Sequence, residues 1–441
     1  MNADAAQVAR TTSRAAGALE AALWDIEAAL LLEREATSAE VAWRAALARV
    51  AAPERAVATA RRSRFEHARV HGGVELRAYA ADHGVGGARM TTSSGGARIF
   101  RVVSEAFPQH INYVYFLDLG DVLVQWDCGS GLGRSRAMIL DGLTLCSRVY
   151  AAKLSVEEID VVIVSHGHYD HFGDAGWWKD AARAPLWIHD LDARVVERFD
   201  ERTALTGRDM RIWLRGAGCD ETQVGELVGL YMASKDIFSS VPVDRRLRHG
   251  QRLFPAPQRS DEHAGRARLV HTPGHCPGHV CMRIDDVLLT ADQVLAPVTP
   301  HLSPQALHPG NGVERYISGL GRLAREEGVR HVLPAHFDAI PDLGARIKEI
   351  AEGHVDKLQR VLDACSRGAA VVDVAALLYG PQQGYHSLLA VLEAGAHVEF
   401  LHQHGAISVA NLDEVAADPL QAARYLTSSS ADVASLPLDP R

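Results

Sequence analysis

Little in this sequence is basic, sulfur-rich or continuously apolar. The formal net charge of the 441-residue chain is -9 with its histidines neutral, and no Lys/Arg run offsets it locally. That balance argues against a binder of nucleic acid or of an anionic membrane. The cysteines number six, scattered, with no CxxC pair. A disulfide framework is therefore not expected, and a reducing cytoplasmic setting fits. No stretch reaches the roughly 18 apolar residues that a membrane helix needs. The one apolar run near the start, Ala28 to Leu32, is short and lies between acids, so no signal peptide is read there.

The composition is 47% hydrophobic and 23% charged, which excludes wholesale disorder. The length suits two or three domains. Residues 1–70 read as helical: Leu19, Leu23, Ile26 and Leu30 recur at helical spacing beside Trp24. Thr37 and Glu40 have capping-box spacing before Val41, Trp43 and Leu47, and Pro53 opens a third helix. A helical add-on packed on the main body is expected, with a partner or homo-oligomer helix as the second reading. Residues 82–97 are rich in Gly, Ser and Thr and read as a linker. The first unit is therefore 1–97.

From 98 to 345 the texture is mixed. The β-type runs Tyr113–Leu117, Val122–Trp126, Val161–Val164, Pro185–Ile188, Arg268–His271 and Val287–Thr290 alternate with helical stretches, as in a layered α/β domain. Beyond it, Arg346–Cys365, Val371–Leu378 and His386–Gly405 read as helices and Ala406–Val409 as a short strand. This makes a small helical unit over 346–411. Residues 412–441 read as a loose tail.

The chain holds 22 histidines, and their spacing carries chemistry. Val161-Val-Ile-Val164 runs into Ser165-His166-Gly167-His168-Tyr169-Asp170-His171. A strand opening into a loop lets His166 and His168 face one metal ion, while the following turn aims Asp170 and His171 at a second. Imidazole and carboxylate are the donors of catalytic zinc sites that keep a position open. In His271-Thr-Pro-Gly-His275-Cys-Pro-Gly-His279, Pro and Gly bracket His275, which reads as a ligand. His271 and His279 read as supports. Leu288-Leu-Thr-Ala-Asp292 ends an apolar run in a carboxylate suited to bridging two cations, and Val332-Leu-Pro-Ala-His336 ends another in a histidine. His301, His308 and His331 are rivals to His336. Cys128 and Cys276, near these segments, read as core packing.

This order of motifs (HxHxDH, TPGH, a strand-ending Asp, a late strand-ending His) resembles the metallo-β-lactamase superfamily over about residues 99–345. Asn112-Tyr113 and Asp127-Cys-Gly129 match its early N-Y and D-x-G positions. The resemblance implies an αββα sandwich with the site at the edge between two sheets. It implies one metal on His166, His168 and His275, another on Asp170, His171 and His336, and Asp292 between them. Two divalent ions, zinc by ligand type with iron or manganese as alternatives, would hold a hydroxide that attacks a carbonyl carbon, Asp170 orienting it. His354-Val-Asp-Lys-Leu358, Gly395-Ala-His397-Val-Glu-Phe-Leu401 and Gly405-Ala-Ile look like a branch with a winged-helix-type C-terminal domain. That branch implies a small-molecule acyl thioester or ester substrate. Lactone or β-lactam hydrolysis, and a mono-iron persulfide dioxygenase-like reaction, are the alternatives. The sequence departs from the family pattern at Asp174, where a second Gly is usual, and at Phe337, where GHG-type sequences are common.

Overall fold

The structure is a computed structural model. It describes residues 89–107, 110–255, 265–418, 420–429, 431–438 and 440. The helices expected in residues 1–70 lie outside the described residues. Two sheets form the frame. The first has seven strands in the order β1 (Arg89–Thr92), β2 (Arg98–Phe107), β3 (His110–Asp118), β4 (Leu123–Trp126), β5 (Val161–Val164), β6 (Leu186–His189) and β7 (Arg245–Leu247). The second has five: β8 (Arg252–Pro255), β9 (Gly265–His271), β10 (Val280–Ile284), β11 (Val287–Ala291) and β12 (His331–Pro334).

Alternation of side chains along each strand sorts the apolar residues into three layers. Tyr113, Tyr115, Leu117, Val161 and Ile163 face Leu269, Val280, Met282, Val287 and Leu289 between the sheets. The other face of the same strands, with Val114, Phe116, Val162 and Val164, packs on α1 (Ser135–Val149), α3 (Ala175–Ala182) and α4 (Asp190–Glu197) through Ile139, Leu143, Trp178 and Val196. The outer face of the second sheet, with Val270, Cys281, Leu288 and Val332, packs on the remaining long helices. These are α5 (Phe199–Gly216), α6 (Glu221–Met232), α7 (Val313–Ala324), α8 (Leu343–Cys365), α9 (Val371–Tyr379) and α10 (Gly384–Gln403). The result is an αββα sandwich. It explains why Val161–Val164 reads as an unbroken apolar run: a parallel strand covered on both faces needs no polar side.

Two boundaries differ from expectation. Arg89–Thr92, within the segment read as linker, is paired with β2. The turn after it is pinned to the second sheet, with Ser93 Oγ donating to Asp285 (2.6 Å) and the Ser94 amide to Asp286 (2.7 Å). Glycine and serine here build a specific turn rather than a free tether. The stretch read as a loose tail is also tied down. A strand at Tyr425–Thr427 pairs with Ile407–Val409, and Val433 and Leu438 are buried in the same core as α7 and α8. Its alanines and serines give no strand pattern to read, yet the segment is held by strand pairing and by these two buried side chains.

Within the C-terminal helices, His354 and His397 are buried face to face, Nδ1 to Nε2 at 3.1 Å. His397 Nδ1 lies 2.8 Å from the Glu393 carbonyl, so it carries the proton and Nε2 accepts from His354. Burial, first, and the neighbouring positive groups hold His397 down to about 4 and His354 well below its ordinary value. A folded-state value below the unfolded one means that the unfolded chain binds more protons, so stability falls as pH drops from about 6.5. Both shifts have the same sign, so the loss grows as the pH falls toward the folded-state values. Urea midpoints measured across this range should fall less steeply in His397→Gln than in the parent; identical slopes would rule the pair out as an acid-sensitive element.

Candidate metal centre

Four strand ends deliver the site, and each arrives with its own support. At the end of β5, Ser165-His166-Gly167-His168 leads into the short helix α2 (Tyr169–Phe172), which carries Asp170 and His171. Asp127, at the end of β4, lies in the left-handed region (φ 65°) and is fully buried. Its carboxylate accepts from the Ser165 amide (2.7 Å), from Ser165 Oγ (3.0 Å) and from His171 Nδ1 (2.9 Å). Asn112 Nδ2 donates to the Asp170 carbonyl (2.5 Å), and the Tyr113 amide to Ala335 O (2.8 Å) beside His336. The early N-Y and D-x-G positions thus hold the ligand loops rather than enter the cluster.

The TPGH loop turns at Gly274 (φ 128°), where a Cβ would lie 2.3 Å from the Tyr316 backbone. At the end of β11 the pairing with β12 slips and Ala291 takes φ 44°, turning Asp292 inward. The Asp292 amide donates to His279 Nε2 (3.1 Å). That leaves the proton on His279 Nδ1, which donates to Thr272 Oγ1 (2.8 Å). His279 is a support, as expected. His271 is too: it binds the Pro277 carbonyl (2.7 Å) and stacks on His189.

The seven expected residues meet in one buried cluster. Asp292 turns Oδ2 toward His166 Nε2 (3.8 Å) and His275 Nε2 (3.5 Å), and Oδ1 toward His171 Nε2 (3.5 Å) and His336 Nε2 (3.4 Å). Asp170 Oδ2 lies 3.3 Å from His171 Nε2 and 3.2 Å from His336 Nε2. His166 Nε2 and His168 Nδ1 are 3.1 Å apart. Of the rivals, His301 gives only its backbone carbonyl, to His275 Nδ1 (2.7 Å), and His331 is exposed.

Two features fit divalent cations. His171 Nε2, His275 Nε2 and Asp292 Oδ1 are buried without a hydrogen-bond partner, all aimed into the cluster. An unpaired buried polar atom is costly, and a cation satisfies all three. Second, Ser165 Oγ donates to Asp127, so it accepts from His166 Nδ1 (3.0 Å). His166 Nε2 then presents a lone pair, as metal ligation requires. Burial alone would raise Asp170 and Asp292, but the surrounding histidines hold both carboxyls well below the usual range. Burial opposes the proton on His336 as well, yet Asp292 and Asp170 raise it to about 10. The cluster is therefore a charge-balanced pocket of imidazole and carboxylate suited to divalent metal.

A family model for the metallo-β-lactamase superfamily matches residues 108–336. The chain belongs to this superfamily. Among solved structures it is similar to a metallo-β-lactamase family protein of Thermus thermophilus, at 22% identity and TM-score 0.59, covering 75% of this chain and 98% of that one. It is also similar to a β-lactamase domain protein of Burkholderia ambifaria, at 21% identity and TM-score 0.59, covering 78% and 95%. These likenesses bear on the fold. No curated protein matches.

Three groups at this metallo-β-lactamase centre escaped sequence reasoning. His110, half-exposed, sets Nε2 3.2 Å from Asp170 Oδ2 and its ring 4.6 Å from His336; an isolated histidine gives no spacing to read. Cys276 is buried against His168, Sγ to Nε2 at 3.2 Å, whereas Cys128 packs in the core as expected. Asp192, on α4, is fully buried and accepts from the Gly167 amide (2.9 Å) with one oxygen and from the Gly278 amide (2.6 Å) with the other. One carboxylate so ties the HxH loop to the TPGH loop. A Cβ at Gly278 would lie 2.7 Å from Asp192, which is why glycine stands there. Of the two departures from the family pattern, only Phe337 meets an expected ligand, its ring lying edge-on to His336 with centroids 6.4 Å apart. Asp174 pairs with Arg136 (2.5 and 2.8 Å), and Phe337 takes φ 62° just past His336.

Asp192→Asn replaces one acceptor by a donor facing an N–H. Supports of this kind are worth about 10–100-fold in metal affinity. Competition with a chromogenic chelator should show a loss of that size in the variant; unchanged affinity would mean that the two loops hold themselves.

Proposed function

We propose that this superfamily hydrolase holds two divalent ions, zinc by donor type, and cleaves a small-molecule acyl thioester or ester. The observation that carries the reading is Asp292, which turns one oxygen to His166 and His275 and the other to His171 and His336. His166, His168 and His275 would hold one ion, and Asp170, His171 and His336 the other. Ions so held lower the pKa of a water toward neutrality and polarise a carbonyl oxygen. Asp170, kept ionised, has the free acceptor capacity to orient the attacking water, and no serine or cysteine nucleophile is needed. The thioester preference rests on the resemblance to the branch with a helical C-terminal segment. No described helix is long and apolar enough to cross a membrane.

The test is metal analysis of the purified full-length chain together with a panel of acyl-CoA and acyl-glutathione thioesters. The expected result is near two zinc per chain, with turnover that falls at least ~100-fold in His168→Ala, more than an outer partner is worth. One iron per chain without thioester turnover would overturn the proposal in favour of the dioxygenase reading. Metal uptake has its own signature. His171 is held well above its ordinary value and His336 at about 10, in each case by carboxylates and against burial. Both carry protons at neutral pH and must shed them to ligate. Calorimetry in buffers of different ionisation enthalpy should register proton release on zinc binding at pH 7; a buffer-independent heat would count against these two as ligands.

A further inference from the structure

The histidines of the cluster follow one rule with one exception. His166, His171, His275 and His336 all turn Nε2 inward and tie Nδ1 to an oxygen: Ser165 Oγ (3.0 Å), Asp127 Oδ2 (2.9 Å), His301 O (2.7 Å) and Ile111 O (2.7 Å). His168 is reversed. Its Nδ1 faces His166 Nε2 at 3.1 Å, and its Nε2 points to Cys276 Sγ at 3.2 Å. Cys276 is buried and sits next to His275, so the loop that supplies one imidazole also backs another.

Resting on the metal assignment above, we propose that Cys276 is a positioning residue that acts through His168. Its sulfur accepts the Nε2 proton and so fixes the tautomer in which Nδ1 carries the lone pair. A ring nitrogen is available to a cation only when the proton sits on the other one, and the group behind the ring decides which. With Cys276 behind His168 and Ser165 behind His166, two lone pairs meet across 3.1 Å. That contact is repulsive by itself and favourable only around a cation. A thiol is a weak, neutral acceptor, unlike the Asp127 carboxylate behind His171. It selects the tautomer without adding charge to the pocket.

The test uses the full chain loaded with cobalt(II), whose near-ultraviolet spectrum reports a sulfur ligand directly. Cys276→Ala should bind cobalt ~10–100-fold more weakly, with the melting temperature of the metal-free protein unchanged. Cys276→Ser, which restores an acceptor, should recover most of the affinity. The parent should show no sulfur-to-cobalt charge-transfer band. Equal cobalt affinity in parent and Cys276→Ala would overturn the inference. So would a charge-transfer band lost in Cys276→Ala, since the sulfur would then be a ligand itself. A parent chain that takes up no cobalt would instead overturn the metal assignment on which the inference rests.

Discussion

Five imidazoles and two carboxylates share one cluster, and four of the rings, His166, His171, His275 and His336, are gripped at Nδ1 by an oxygen behind them. Each of these grips turns Nε2 toward the centre of the cluster, where the two carboxylates lie. Without the grips the rings would find partners among themselves, as His166 and His168 are close enough to do. Most of the surrounding architecture serves those grips. Asp127 stands behind His171 and also holds the Ser165 amide. The second sheet supplies the His279 ring that steers Asp292.

Placing the groups costs backbone strain, and the strain is local. Asp127, Ala291 and Phe337 each adopt positive φ without being glycine, and each is the residue beside or beneath a ligand segment. Such conformations cost on the order of 1–3 kcal/mol each and persist only where the surroundings over-determine them. Here the over-determination is the sandwich: β4, β5, β11 and β12 are buried, and their ends are fixed before the chain turns. Tyr115 Oη, donating to Pro334 O (2.6 Å), ties the two sheets at the point where His336 leaves β12.

The ligand-bearing strand ends were legible because abrupt transitions leave a signature. Val161–Val164 stops at a polar, histidine-rich run, and Val332-Leu333 stops at Pro334-Ala335-His336. Pro and Gly around His275 announced a turn that Gly274 alone can make against Tyr316. Tertiary partners leave no such mark. Asp192 lies 25 residues from Gly167 and 86 from Gly278, and nothing in its neighbourhood distinguishes it from other helix-start acids. Cys276 looked like a small core residue because its partner is 108 positions away. The strand at Arg89–Thr92 was hidden by turn-forming neighbours whose partners, Asp285 and Asp286, lie far along the chain.

The C-terminal helices belong to the same logic, although none of them supplies an expected ligand. The grip on His275 is the carbonyl of His301, so the loop carrying His301 must stay put. Arg346 on α8 donates to the carbonyls of Leu295 (2.7 Å) and Val298 (2.9 Å), and Lys357 Nζ reaches Thr299 Oγ1 (3.0 Å). From α10, Glu399 accepts from the amides of Gln305 (2.6 Å) and Ala306 (3.0 Å), while Glu393 sits 3.6 Å from His301 Nδ1. A loop of about ten residues is strapped from both sides by helices that share the core of the second sheet. A chain cut before α8 would keep every expected ligand in sequence yet lose the straps that hold His301. The physical unit of the metal centre therefore extends well past its last histidine.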